Sequence, residues 1–312
     1  MEEGSELLER LGAAAKGEGD SRGWPMFTSC CPGWVRFVKA RYPEFVDSLS
    51  TSKSPQQMFG AIAKNYFAQK LGIDRKDLVV VSVMPCVAKK AEAARPEFSR
   101  DGDPDVNISI TTRELAHMIR FANMDFALLE EDDFDRPLGE STGAGVIFGA
   151  TGGVIEAAVR TAYEVQTKKP LDRIDFTELR GMEGVRSATV DFDGTPVRIG
   201  IAHGLANARQ LIREVVNGTS PYHAIEIMAC PGGCVNGGGQ PIVDSSVRNF
   251  VDVRALRAKG LYELDKNKPL RKSHENPEII ELYKSYFGEP GSEKAHHILH
   301  TKYVERKVNK DF

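Results

Sequence analysis

The stretch Leu78-Val79-Val80-Val81-Ser82-Val83-Met84, followed at once by Pro85-Cys86, constrains the fold more than any other part of the chain. Its valines lack polar alternation, which predicts a strand buried on both faces, as in a parallel sheet covered by helices. Parallel strands need helical crossovers, and the flanking sequence supplies them. Ser54-Pro55-Gln56-Gln57 has the form of a helix start, with a serine N-cap, proline at the first helical position and a capping-box glutamine. Met58, Ile62, Phe67 and Leu71 continue that helix, and Gly72 suits its end. Residues 106–110 predict a second strand, and Thr111 with Glu114 forms a capping box opening the next helix. Residues 197–202 and 224–228 predict two more strands, the second after a helix that ends near Gly218. Leu7, Leu8 and Leu11 give residues 5–11 helical spacing, with a Gly- and Ala-rich connector from 12 to 23.

Five cysteines are too few and too oddly spaced for a disulfide frame or a zinc ribbon. Cys30 and Cys31 are adjacent, Cys86 stands alone, and Cys230 and Cys234 bracket a Pro-Gly-Gly turn. Thr28-Ser29-Cys30-Cys31-Pro32-Gly33-Trp34, Met84-Pro85-Cys86-Val87-Ala88-Lys89-Lys90 and Met228-Ala229-Cys230-Pro231-Gly232-Gly233-Cys234 share one arrangement. Each follows an apolar stretch, so each cysteine falls at the carboxyl end of a strand. There α/β folds gather their ligands and helix N-termini favour thiolates. An iron–sulfur cluster held by four thiolates, with one cysteine to spare, is the reading these residues support.

The fold class is therefore α/β, with two lobes of mainly parallel sheet flanked by helices and the metal site between them. Residues 1–143, with the TSCCPGW and MPC motifs, are assigned to the first lobe. Residues 144–245, with FGATGG and ACPGGC, form the second. Residues 246–312, where the pattern changes to short helical pieces, form a small C-terminal helical segment.

Composition excludes several function classes. With 41 basic and 44 acidic residues the net charge is −3, which offers no footprint for nucleic acid. No apolar run approaches membrane-spanning length, and the opening Met1-Glu2-Glu3 is acidic where a signal peptide is basic. A reducing cytoplasm is the expected location. Residues 143–153 fit no dinucleotide fingerprint, and His274-Glu275 lacks the second histidine of a zincin helix. Glu130-Glu131-Asp132-Asp133 reads as a solvated loop, His296, His297 and His300 as a surface helix face, and Trp24, Trp34 and the Phe residues as core.

The segments TSCCPGW, MPCVAKKAE and EIMACPGGCVNGGGQP resemble the three signatures of the [FeFe]-hydrogenase catalytic domain. Phe148-Gly149-Ala150-Thr151-Gly152-Gly153-Val154 resembles a fourth motif of that family. The stretch from Arg271-Lys272-Ser273-His274-Glu275-Asn276 to Tyr286-Phe287-Gly288 is similar to its small-subunit region. The resemblance implies that Cys31, Cys86, Cys230 and Cys234 ligate a [4Fe–4S] cube. Cys234 would share its sulfur with a diiron subcluster bearing CO, cyanide and a bridging dithiolate. It implies Cys30 as proton donor and acceptor, Lys89 as hydrogen-bond partner of a cyanide, and Met84, Phe148 and Met228 packed around the diiron site. Glu3, Ser50 and Glu6 match the family's proton relay, although the connector from Glu6 to Cys30 is longer here. Reversible reduction of protons to H2 follows as the expected activity, with ferredoxin as electron partner and maturation proteins loading the cluster. A non-catalytic relative that binds only the cube, or an inactive truncated fragment, is the alternative. The family's domain normally begins before the position of Met1, so another subunit or upstream segment is expected to complete the pocket. Lys266, Lys268, Arg271 and Lys272 form a basic cluster read as a docking site for the electron carrier.

Overall fold

The computed structural model describes residues 1–17 and 22–304. Eight strands are present among them: β1 (Met26–Phe27), β2 (Val81–Met84), β3 (Ser99–Arg100), β4 (Asp103–Pro104), β5 (Ile108–Thr111), β6 (Val185–Phe192), β7 (Thr195–His203) and β8 (Ala224–Met228). The larger sheet has the order β1-β8-β7-β6. β1 and β7 run parallel to β8, and β6 closes the edge antiparallel to β7. β2 and β5 make a separate two-stranded parallel sheet, and β3 with β4 a short antiparallel pair. The fold is thus α/β with mainly parallel pairing in its principal sheets.

Every residue of β8 is buried, because helices cover both faces of the larger sheet. On one side Leu7 of the helix Glu2–Ala15 and Ile155 and Val159 of the helix Gly153–Thr167 pack on Met26, Ile199, Ile201 and Ala224. On the other, Trp34, Val35 and Val38 of the helix Pro32–Arg41 and Leu211 of the helix Leu205–Val216 pack on Phe27, Ala202, Ile225 and Ile227. Neighbouring residues of each strand divide between the two layers, as the pleat requires.

Several expectations change. The 78–84 stretch forms a shorter strand, β2, and is not buried on both faces: Val79, Val81 and Val83 are 60%, 50% and 43% exposed. With β5 as its one partner, β2 has helices on a single side. β6 escaped the sequence reading, although Asp193-Gly194, both at positive φ, is the signature of a tight hairpin. The first helix runs through Gly12 to Ala15, since alanines prolong it beyond the expected stop. The division at residue 143 does not follow the sheets, because β1 crosses over to pair with β8. Trp24 is 38% exposed, with its ring edge-on to His223, and Phe121, Phe134 and Phe250 lie at the surface and not in the core. His300 is buried, its ring bridging Thr51 Oγ1 (2.8 Å) and Glu2 Oε2 (2.8 Å). Ser54 is the helix N-cap, yet its hydroxyl donates to Glu92 (2.8 Å) and makes no cap bond, so the predicted capping box is absent. The Thr111–Glu114 box forms as expected.

The C-terminal segment bridges the fold. Helix Val253–Asn267 packs on residues 143–149, while Glu293–Leu299 packs on Pro55–Ile62. Buried Asp265 receives Arg160 (2.9 Å) and Arg271 (2.6 Å), tying this segment to the helix Gly153–Thr167.

Candidate metal centre

Three loops at strand carboxyl ends carry all five cysteines. After β1, Thr28 donates its amide to Ile225 (3.0 Å) and Trp34 Nε1 donates to the Thr28 carbonyl (3.1 Å). Cys31 then sits as N-cap of the helix Pro32–Arg41, and its sulfur accepts the Ala229 amide at 3.4 Å. After β2, Cys86 precedes the helix Ala88–Ala93. After β8, Gly232 (φ +84) and Gly233 (φ +95) turn the chain so that Cys230 and Cys234 return to one side. The glycines beyond explain themselves by contact. A Cβ on Gly237 would lie 2.1 Å from the Pro85 carbonyl oxygen, and one on Gly239 2.9 Å from the Cys86 amide nitrogen. The two cysteine loops therefore meet backbone against backbone, and the Gly239 amide donates to the Pro85 carbonyl (2.9 Å).

Cys31, Cys86, Cys230 and Cys234 are mutual electrostatic neighbours. Burial, then the proximity of Cys31, pushes the Cys234 thiol up to about 12; Cys31 and Cys230 are also raised, chiefly by burial. Each of the five cysteines is half-buried. Among the described residues no three His, Cys, Asp or Glu side chains converge on a single ion. Four thiols brought to one place by three loops are the kind of donor set that a cube of iron and sulfide would take. Such a group supplies the positive charge that thiolates in this setting lack. A cleft of ≈ 550 Å³ reaches Cys234 from the surface, between Pro85, Gly149, Gln240, Arg257 and Leu261.

Cys30 has different company. Burial raises its thiol well above the ordinary range, followed by the nearby carboxyl of Glu3. Burial, with Glu6 and Glu226 close by, lifts Glu3 to about 7, and its Oε1 has no hydrogen-bond partner. Burial opposes ionisation of Glu6, but Arg10, Ser50 Oγ (2.7 Å) and the Thr51 amide outweigh it and hold the carboxyl low. Arg10, buried and 2.6 Å from Glu6, extends this line and was missed from sequence, although its spacing four after Glu6 on one helix was a legible signal. Lys89 is 7% exposed; burial would lower its pKa, but Glu92 prevails and raises it. Met228 is buried at the end of β8 and Met84 half-buried at the end of β2. Phe148 packs beside Ala144, Ile147 and Ala157. Two members of the basic docking cluster are committed inside the molecule: Arg271 pairs with Asp265 and Asp175, and Lys272 with Glu164 and Glu275.

Residues 1–238 match the family model for the C-terminal domain of the iron-only hydrogenase large subunit, and residues 251–306 that for the iron hydrogenase small subunit. The chain is 56% identical over 307 residues to NADP-reducing hydrogenase subunit HndD of Solidesulfovibrio fructosivorans, covering 98% of this chain and 52% of that protein. It is 45% identical to iron hydrogenase 1 of Clostridium pasteurianum, covering 97% of this chain and 52% of the relative. An [FeFe]-hydrogenase structure from Chlamydomonas reinhardtii superposes with a TM-score of 0.83 at 41% identity, over 99% of this chain and 82% of that one. More distantly, protein NAR1 of Arabidopsis thaliana is 33% identical over 92% of this chain and 63% of its own length. The chain thus spans about half the length of its nearer curated relatives. Its motifs, its fold and these matches agree: the chain belongs to the iron-only hydrogenase family, through the C-terminal domain of the large subunit joined to a segment like the small one.

Proposed function

We propose that this chain is the catalytic unit of an iron hydrogenase, reversibly reducing protons to H2. The observation that carries the reading is the meeting of three cysteine loops, in which Cys31, Cys86, Cys230 and Cys234 all couple to one another and Cys30, close to Cys31 and Cys234, also lies beside the buried Glu3 carboxyl. Cys31, Cys86, Cys230 and Cys234 would hold the [4Fe–4S] cube, and Cys234 would share its sulfur with the diiron subcluster. When bound, that centre supplies the redox chemistry through iron carrying CO, cyanide and a bridging dithiolate.

The protein's own part is proton traffic, charge placement and exclusion of water. A carboxyl lifted to about 7 exchanges protons readily near neutrality, so Glu3 suits the step between Cys30 and the Ser50–Glu6 pair, whose carboxylate Arg10 holds in place. Lys89 offers a fixed positive charge to an anionic ligand. Met84, Met228 and Phe148 contribute apolar bulk to the pocket wall.

The proposal extends to ferredoxin or a similar carrier as electron partner, maturation proteins as the source of the diiron unit, and a cytoplasmic setting. Among the described residues no helix is long and apolar enough to cross a membrane. The exposed valines of β2 are a surface that a further segment or subunit would cover. The relationship to NAR1 supports a second reading, an iron–sulfur protein with the cube alone. Cys30 beside Glu3, with Lys89 intact, favours the catalytic one. Infrared spectra of anaerobically matured protein test it: metal-bound CO and cyanide bands are expected, and a cubane-loaded protein without them would reject it in favour of the second.

A further inference from the structure

Helix Ala88–Ala93 sets Lys89 and Glu92 one turn apart, both buried. Glu92 is 2% exposed, and its Oε2 receives Lys89 Nζ (2.9 Å), Ser54 Oγ (2.8 Å) and Gln56 Nε2 (3.2 Å). Gln56 in turn accepts Ser82 Oγ at 2.7 Å, so the cluster is anchored to β2. None of these contacts belongs to the Glu3–Ser50–Glu6 line. Lys89 also donates to the Cys30 carbonyl at 3.0 Å. An ammonium has three N–H donors in tetrahedral array, so fixing two directions fixes the third. The ammonium couples electrostatically to Cys30 and Cys234, which places it beside those two thiols.

We propose that Glu92 is a positioning residue: it holds the Lys89 ammonium oriented, so that one N–H is presented to an anionic ligand beside Cys30 and Cys234. The inference rests on the iron–sulfur reading of the site and assigns the charge balance within it. A carboxylate that is itself held by two further donors fixes the direction from which it binds the ammonium. Ser54 and Gln56 share the carboxylate, which limits how far it draws Lys89 away from the ligand. This also explains why Ser54 gives up its capping role.

The test uses the whole chain as Glu92→Gln, which keeps an acceptor oxygen and the side-chain shape but removes the charge. Iron and sulfide content should match wild type. In protein carrying the cube alone, the cube's reduction potential should move positive, since one nearby negative charge is gone. In fully matured protein the cyanide bands should shift relative to the CO bands, and turnover should fall about 10- to 100-fold, as for lost outer hydrogen bonds around other metal sites. Ser54→Ala, which leaves the carboxylate freer to draw Lys89 in, should shift the cyanide bands the opposite way, and it remains informative if E92Q folds poorly. Unchanged potential and cyanide bands in E92Q, or same-direction shifts in both variants, would overturn the assignment while leaving the hydrogenase reading intact. Wild-type protein that takes up the cube and shows no cyanide bands would overturn both.

Discussion

Cys30 and Cys31 are chemically identical neighbours, and only their surroundings separate them. The Cys31 sulfur accepts the Ala229 amide and couples to Cys86, whereas the charge that acts most on the Cys30 thiol is the Glu3 carboxyl. Cys30→Ser should therefore keep iron, sulfide and infrared bands while turnover drops about 10²- to 10⁴-fold, measured as hydrogen evolved per loaded centre. Loss of the cube in that variant would show the two roles to be reversed. Glu3 makes a second case at this scale. The folded chain holds its proton more tightly than the unfolded chain, so stability falls as pH rises from about 4.5 towards about 7, and the deficit persists above. Glu3→Gln removes that slope: at pH ~8 the cluster-free variant should unfold later than wild type, by up to about 3 kcal/mol. Denaturant unfolding at pH ~5 and ~8 decides this, and an equal difference at both pH values would refute it.

At the scale of elements, the cysteine loops are shaped by how closely their backbones approach. Gly237 has no room for a methyl group against the Pro85 carbonyl. Gly237→Ala should push the loop that carries Cys234 off the one that carries Cys86, costing about 1–3 kcal/mol, and iron and sulfide uptake should fall with it. Normal uptake would mean that the loops can separate without harm to the site. The strands were read less evenly than the loops. β8 and most of β7 were legible because Ile, Val and Ala dominate them, although buried Glu226 interrupts the one and Arg198 the other. β2 looked the same in sequence, but apolar runs do not reveal how many layers will cover them. β6 was lost because its polar, alternating pattern is that of an edge strand, and the hairpin signal at Asp193-Gly194 was passed over.

For the whole molecule, the C-terminal segment is tied down by charge. Asp265, fully buried, receives both Arg160 and Arg271, and Arg160 also holds Glu156. Asp265→Ala leaves Arg160 with Glu156 and Arg271 with Asp175, a buried cluster with one positive charge in excess, and should destabilise the chain by about 3–5 kcal/mol. It should also loosen the contact of helix Val253–Asn267 with residues 143–149, readable as faster amide exchange in both. Protection like that of wild type would show that apolar packing alone holds the segment. The same pairing changes the docking expectation, since charge reversal at Arg271 would test stability and not partner choice. Lys266 and Lys268 remain as the members of that cluster on which docking can be tested.

Cysteine spacing, the Pro and Gly residues around it and the strand–helix alternation were enough, by themselves, to set the α/β class and to put the cysteine loops at strand ends, from which the proposed four-thiol reading starts. These are local properties: residue chemistry and backbone freedom are written into consecutive positions. Which cysteine faces the buried carboxyl, that Glu92 binds Lys89, that Arg10 and His300 are internal, and that β1 joins the sheet of β8 were decided only by tertiary structure. Each is a meeting of groups distant in sequence or a matter of which side chain is desolvated. Both depend on how layers close over one another, which no run of neighbouring residues specifies.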